Sequence, residues 1–86
     1  MTKNKKEEPR GELGFYLSCE KVLGGVSVIV GGIMNVSDFS SQSVMLSGHS
    51  GRILITGRRL AMTVFENRSI EITGIVEDIR FIYGKT

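Results

Sequence analysis

Hydrophobic residues recur at every second position in several short runs. Leu13, Phe15 and Leu17 form one set, Val26, Val28 and Val30 a second, Val44 and Leu46 a third, and Ile53 and Ile55 a fourth. Leu60, Met62 and Val64 continue the pattern, as do Ile70 and Ile72. Alternation of this kind marks strands that bury one face. Glycine punctuates the runs. Gly24-Gly25 lies between two of them, and two glycines there predict a two-residue hairpin, because primed turns need positive φ. Residues 26–30 are uncharged and rich in β-branched side chains, so they belong inside a sheet rather than at its edge.

Three strands share one ending: Val28-Ile-Val-Gly-Gly32, Ile53-Leu-Ile-Thr-Gly57 and Ile70-Glu-Ile-Thr-Gly74. The central run opens on a glycine as well, at Gly51, after a turn through His49-Ser50. Gly24, Gly25, Gly32, Gly51, Gly57 and Gly74 are therefore the expected turn and bulge positions. Between residues 33 and 39, Ile33, Val36 and Phe39 stand three apart among Ser, Asn and Asp. One turn of helix or a bent strand fits that spacing, with Phe39 filling the core beneath it. Asp38 and Ser40 are expected to bond neighbouring backbone amides.

The last third changes parity. Ile70 and Ile72 are even, whereas Ile79, Phe81 and Tyr83 are odd. Moving the apolar set to the other parity on one face requires an extra residue, and Gly74 lies between the sets, which predicts a bulge or bend at 74–76. Together these features predict an all-β fold: a small antiparallel sandwich, or a partly closed barrel or roll, of about six to seven short strands joined by hairpins.

With 86 residues there is room for a single domain. The apolar alternation starts at Leu13, so residues 1–12 are expected to form a flexible charged tail and 13–86 one all-β domain. A chain of this size buries roughly 60% of the surface its unfolded form exposes, which makes oligomerisation a natural supplement. The net charge is +2, and the tail's four basic and three acidic residues leave seven and six for the body. Neither part has the basic excess of a nucleic-acid footprint, so no nucleic-acid partner is expected. No signal-like apolar stretch follows the N-terminal charges, and there is no run of about 18 apolar residues, which predicts a cytoplasmic, non-spanning protein.

Candidate chemistry is sparse. Cys19 is the sole cysteine, which excludes an intramolecular disulfide and a thiolate zinc cluster, and it reads as a half-buried structural thiol. His49 is the sole histidine and falls in a turn, where it reads as solvated. Glu77 and Asp78 are adjacent and on a strand point to opposite faces, so they cannot form an acid/base pair. The glycine pairs lack the spacing of a phosphate loop. No catalytic residue, metal, cofactor or small-molecule substrate is indicated. Arginine suits interfaces and anionic partners, which leaves Arg58, Arg59 and Arg68 as candidate interaction residues at turns. Arg58-Arg59 in particular reads as a tight polar connection between two strands.

One resemblance adds to this. Val30-Gly-Gly-Ile33, Val36-Ser-Asp-Phe39, Val44-Met-Leu46, Gly51-Arg-Ile-Leu-Ile-Thr-Gly57 with Leu60 and Met62, and Ile72-Thr-Gly-Ile75 followed by Ile79, Phe81 and Tyr83 occur in order. In that order and spacing they resemble the YabP/YqfC family of bacterial sporulation proteins. The resemblance implies a role in spore formation, in the mother cell, with partners that include sporulation membrane proteins and a site peripheral at a membrane. It supplies no catalytic residues, since its pattern is one of glycines and apolar positions. The expected function is that of a non-enzymatic β-domain acting by protein association, as a homo-oligomer or with a partner. The alternative is a module that binds an anionic ligand or membrane surface through the turn arginines.

Overall fold

The computed structural model describes residues 14–83 and, by their backbone, residues 10–12. Seven strands follow one another: β1 (Arg10–Glu12), β2 (Phe15–Val22), β3 (Gly25–Gly31), β4 (Asn35–Phe39), β5 (Ser43–Ser47), β6 (Gly51–Val64) and β7 (Ser69–Tyr83). They form one antiparallel sheet in the order β1-β2-β3-β7-β6-β5-β4. Of the span expected to be a charged tail, residues 10–12 are thus β1, paired with the start of β2, while residues 1–9 lie outside the described part.

The long hairpin β6–β7 is the spine. β3 pairs with β7 only over 69–74, and β5 pairs with β6 only over 52–56. The sheet therefore has two halves. One holds β1, β2, β3, the start of β7 and the end of β6; the other holds β4, β5, the start of β6 and the end of β7. Both halves contribute to a single apolar core, with Val28, Val30, Ile70 and Ile72 from the first, and Val44, Leu46, Ile53 and Ile55 from the second. All eight are essentially removed from solvent, which is possible only if each half covers the other. Phe15 reaches across: a Cβ added to Gly48, in the β5–β6 turn, would lie 2.6 Å from its ring. The expected small roll is realised as one sheet folded over itself, not closed into a barrel.

Two bulges make the fold-over. Between Thr56↔Asp78 and Gly57↔Val76 the register skips Glu77, so β7 carries one extra residue. Between Arg58↔Ile75 and Ala61↔Thr73, β6 carries the extra residue, with Arg59 and Leu60 opposite Gly74. Each bulge flips which parity faces inward. The predicted bend near Gly74 is present, and the extra residue that switches β7 from Ile72 to Ile79 is Glu77. The complementary switch on β6, from Ile53 and Ile55 to Leu60, sits at the position expected to be a connection. Arg58-Arg59 does not link two strands; it lies inside one strand of 14 residues.

Backbone groups released by the β6 bulge find partners. Gly57 donates to the carbonyl of Gln42 at 3.0 Å and Leu60 to that of Ser41 at 2.8 Å, so the β4–β5 turn seals the bend. That turn is held by Ser40, whose hydroxyl accepts from the amides of Gln42 and Ser43, both at 3.1 Å. Asp38 accepts from the amide of Phe39 at 3.0 Å, so both side chains have the expected local role.

Two local expectations are corrected. The β2–β3 loop is Leu23-Gly24, one residue earlier than Gly24-Gly25, because Val22 pairs with Gly25. Of the two forms expected for residues 33–39, the bent strand is the one present, over Asn35–Phe39, and Phe39 does not fill the core. β4 is an edge strand with an extra residue, Ser37, and Phe39 lies opposite Val44 at the rim, 43% exposed. Ile33, at 7%, fills the core at the crossing instead. Residues 26–30 form β3, flanked by β2 and β7 as expected.

Gly57 and Gly74 carry the bend. A Cβ on Gly57 would meet the Ile75 carbonyl oxygen at 2.0 Å, and one on Gly74, at φ 140, the Arg59 oxygen at 2.5 Å. Gly24 differs, with φ 87 and open space around it. Gly24→Ala then costs only the left-handed strain, about 1–2 kcal/mol. Gly57→Ala and Gly74→Ala force backbone apart and are expected to lower the urea midpoint further than Gly24→Ala. A Gly57→Ala protein as stable as the parent would contradict this.

Candidate functional site

The three arginines singled out by sequence do not converge. Arg58 pairs through Nε with Glu77 Oε2 at 3.0 Å, across the bend, joining the two bulged segments. Both side chains are more than half exposed, so the pair contributes at most about 1 kcal/mol. Arg59 is the bulge residue of β6 at φ 56, and its conformation serves the bend. Arg68 stands at φ 63 in the β6–β7 turn. Five residues of extended strand separate Arg59 from Val64 at that end, roughly 17 Å at about 3.3 Å per residue. The Arg68 carbonyl accepts from the amide of Ile33 at 3.0 Å, and its Nη1 donates to Met34 Sδ at 3.8 Å. Its role in the fold is to tie the β3–β4 crossing to the hairpin tip.

That tie borders an open groove of about 470 Å³. Its walls come from the crossing (Ile33, Met34, Val36) and from the hairpin end (Val64, Phe65, Ile70), with Glu66 and Arg68 at the rim. The crossing is fixed on both sides, since Met34 donates to the Ser47 carbonyl at 2.9 Å while Ile33 bonds Arg68. Ile33 and Ile70 belong to the core, whereas Met34 is 51%, Val64 66% and Phe65 40% exposed. Three large apolar side chains on one short stretch of surface, rimmed by charge, are the mark of a binding surface rather than of scattered exposure. Beside the groove, β6 over 61–64 has β7 on one side and, among the described residues, no strand on the other.

Sequence reasoning passed over Met34 and Phe65. The available signal was Val64-Phe65 at the end of an alternating run: consecutive apolar residues present both faces of a strand just before a turn, where one of them must meet solvent. The turn glycines sit where their geometry is needed. Gly24 lies in the first hairpin loop, and Gly25 begins β3, close against Gly74, whose oxygen would lie 2.1 Å from an added Cβ. Gly32, at φ 84, leads the chain out of β3, and Gly51 closes the β5–β6 turn by accepting from Gly48 at 2.9 Å.

Cys19 is exposed on β2 rather than half-buried, because β1 covers β2 only as far as Leu17. His49 is exposed in the β5–β6 turn. Glu71, on the outer face, accepts from the Ser27 hydroxyl at 2.6 Å, which satisfies the buried serine. Among the described residues no group of three His, Cys, Asp or Glu side chains could hold a metal ion, and no helix is long and apolar enough to cross a membrane.

The family model described as the YabP family matches residues 21–86. The matched span contains the β6–β7 hairpin, both bulges, the groove and every buried apolar residue except Phe15. No curated protein and no solved structure matches the chain.

Arg59 separates a backbone role from a charge role. Arg59→Gly keeps the left-handed bulge and is expected to leave the unfolding midpoint unchanged or raised, whereas Arg59→Val, β-branched at positive φ, lowers stability by about 1–3 kcal/mol. Equal midpoints for the two variants, measured in urea, would remove the bulge role.

Proposed function

The chain belongs to the YabP family, and from that premise we propose that it is a non-enzymatic β-domain acting in the sporulation programme by binding another protein. Family membership supports the sporulation-associated role. The observation that carries the mode of action is the groove at the hairpin tip, where Met34, Val64 and Phe65 stand exposed over a floor of Ile33 and Ile70.

The recognition chemistry follows from the groove's neighbours. An extended segment of a partner can lie along the open side of β6 at 61–64, with main-chain hydrogen bonds supplying affinity and an apolar side chain entering the groove. Glu66 and Arg68 at the rim add charge of both signs, which favours a segment with one apolar anchor and mixed charge around it. The arginine reading is less well served. Arg58 is already matched by Glu77, and Arg68 stands at the far end of the strand from Arg59.

Val64→Glu and Met34→Glu test the groove without touching the core. Each is expected to leave the unfolding midpoint within about 0.5 kcal/mol of the parent, because both side chains are largely exposed. Both should lose the cross-link that a photoreactive residue at position 65 forms in sporulating cells, and both should lower spore yield. Normal spore yield together with an unchanged cross-link would overturn the proposal.

A further inference from the structure

The bend that encloses the core also leaves strand edges without neighbours. β3 accompanies β7 only to Gly74, and from residue 75 the outer side of β7 has no strand beside it among the described residues. This is the longest such edge. β2 is open over 18–22 but carries Glu20 and Lys21 there, β4 is interrupted by the Ser37 bulge and followed by Asp38, and β6 is open over only 61–64. Bulges discourage pairing, and the Glu77 bulge confines the regular part of the β7 edge to 78–83; adjacent Glu20 and Lys21 on β2 point to opposite faces, so no two-fold sets one against the other.

On β7, residues 78–82 read Asp-Ile-Arg-Phe-Ile. Ile79 and Phe81 face the core and are only half-buried, since they stand at the open rim between the two halves of the sheet. Asp78 and Arg80 share the outer face, 3.3 Å apart, with side chains 51% and 67% exposed.

We propose that this edge pairs with the same edge of a second copy, antiparallel about a two-fold axis through Ile79, so that the two sheets continue into one. The register follows from charge. Across a two-fold normal to a sheet, a residue lies opposite one on its own face, so opposed positions share parity. An axis at Asp78 sets two carboxylates face to face, and one at Arg80 sets two guanidinium groups face to face. An axis at Phe81 sets Arg80 opposite the partner's Ile82.

At Ile79, Asp78 lies opposite the partner's Arg80, and Arg80 opposite the partner's Asp78. Four charges then alternate in sign around a square, each copy adding to the pair it already makes. On the inner face Ile79 meets the partner's Ile79 and lies diagonal to the partner's Phe81, which adds apolar cover to Ile79, while Phe81 lies opposite the partner's Glu77 at the bulge. The pairing goes beyond the groove reading and uses none of its residues.

Sedimentation of the full chain over a range of concentrations reads the result. The parent is expected to show a concentration-dependent dimer. Asp78→Arg and Arg80→Asp, each checked for an unchanged far-ultraviolet spectrum, place like charges opposite twice and should weaken it about tenfold or more. Mixing the two variants restores complementarity between chains but not within either one, so a heterodimer of parental affinity should form. In a Cys19→Ser background, Ile79→Cys is expected to cross-link between copies under mild oxidation. Phe65→Glu, which strikes the groove, should leave the dimer intact, so that the two readings fail separately. A monomer at every concentration, a dimer indifferent to both charge reversals, no recovery on mixing, or no cross-link through position 79 would each overturn the proposal.

Discussion

At the corner of this protein the backbones of β6 and β7 approach more closely than any side chain permits. Gly57 lies against the carbonyl of Ile75, and Gly74 against that of Arg59. These contacts flank the bulges where β6 and β7 turn the corner together, and everything else depends on that turn. A flat sheet of the same strands would leave both faces of every strand in water. The fold-over brings Ile70 and Ile72 into one core with Ile53 and Ile55, and among the described residues that dry interior is built without a helix or a second sheet. The Gly57 and Leu60 amides, given to Gln42 and Ser41, show that the corner is closed by hydrogen bonds as well as by packing.

Much of the architecture was legible in residue order, for a physical reason. Period-two alternation reports which face is buried, and in Val26, Val28 and Val30 or Ile70 and Ile72 it did so directly. The parity change between Ile72 and Ile79 located the β7 bulge to within a few residues, since no other device reverses the faces of a continuous strand. The matching change on β6 was hidden. Gly57 followed by two arginines has the composition of a turn, and only the pairing of Ala61 with Thr73 shows that the strand continues. Phe39 misled in the opposite sense: spacing of three suggested a buried plug, but the Ser37 bulge and the edge position put it at the rim.

The candidate site was harder to read because it is a product of topology. Met34 and Phe65 are 31 residues apart in sequence, and neither belongs to a motif. They meet because the chain leaving β3 is tied to Arg68 on one side and Ser47 on the other, which lays the crossing against the hairpin tip. The arginines that composition singled out serve the frame: Arg59 occupies the bulge, Arg58 bridges it to Glu77, and Arg68 anchors the crossing.

The central claim is that one continuous sheet folds back so that its two halves share a core. Phe15 on β2 lies against Gly48 in the β5–β6 turn, a contact that joins the two halves. Nuclear Overhauser measurements on the isotope-labelled protein test it directly. The folded-back sheet is expected to give a strong cross-peak between the Phe15 ring and the Gly48 α-protons, accompanied by one from the Gly57 amide to Gln42. Strand pairing within each half but neither of these cross-peaks would contradict it.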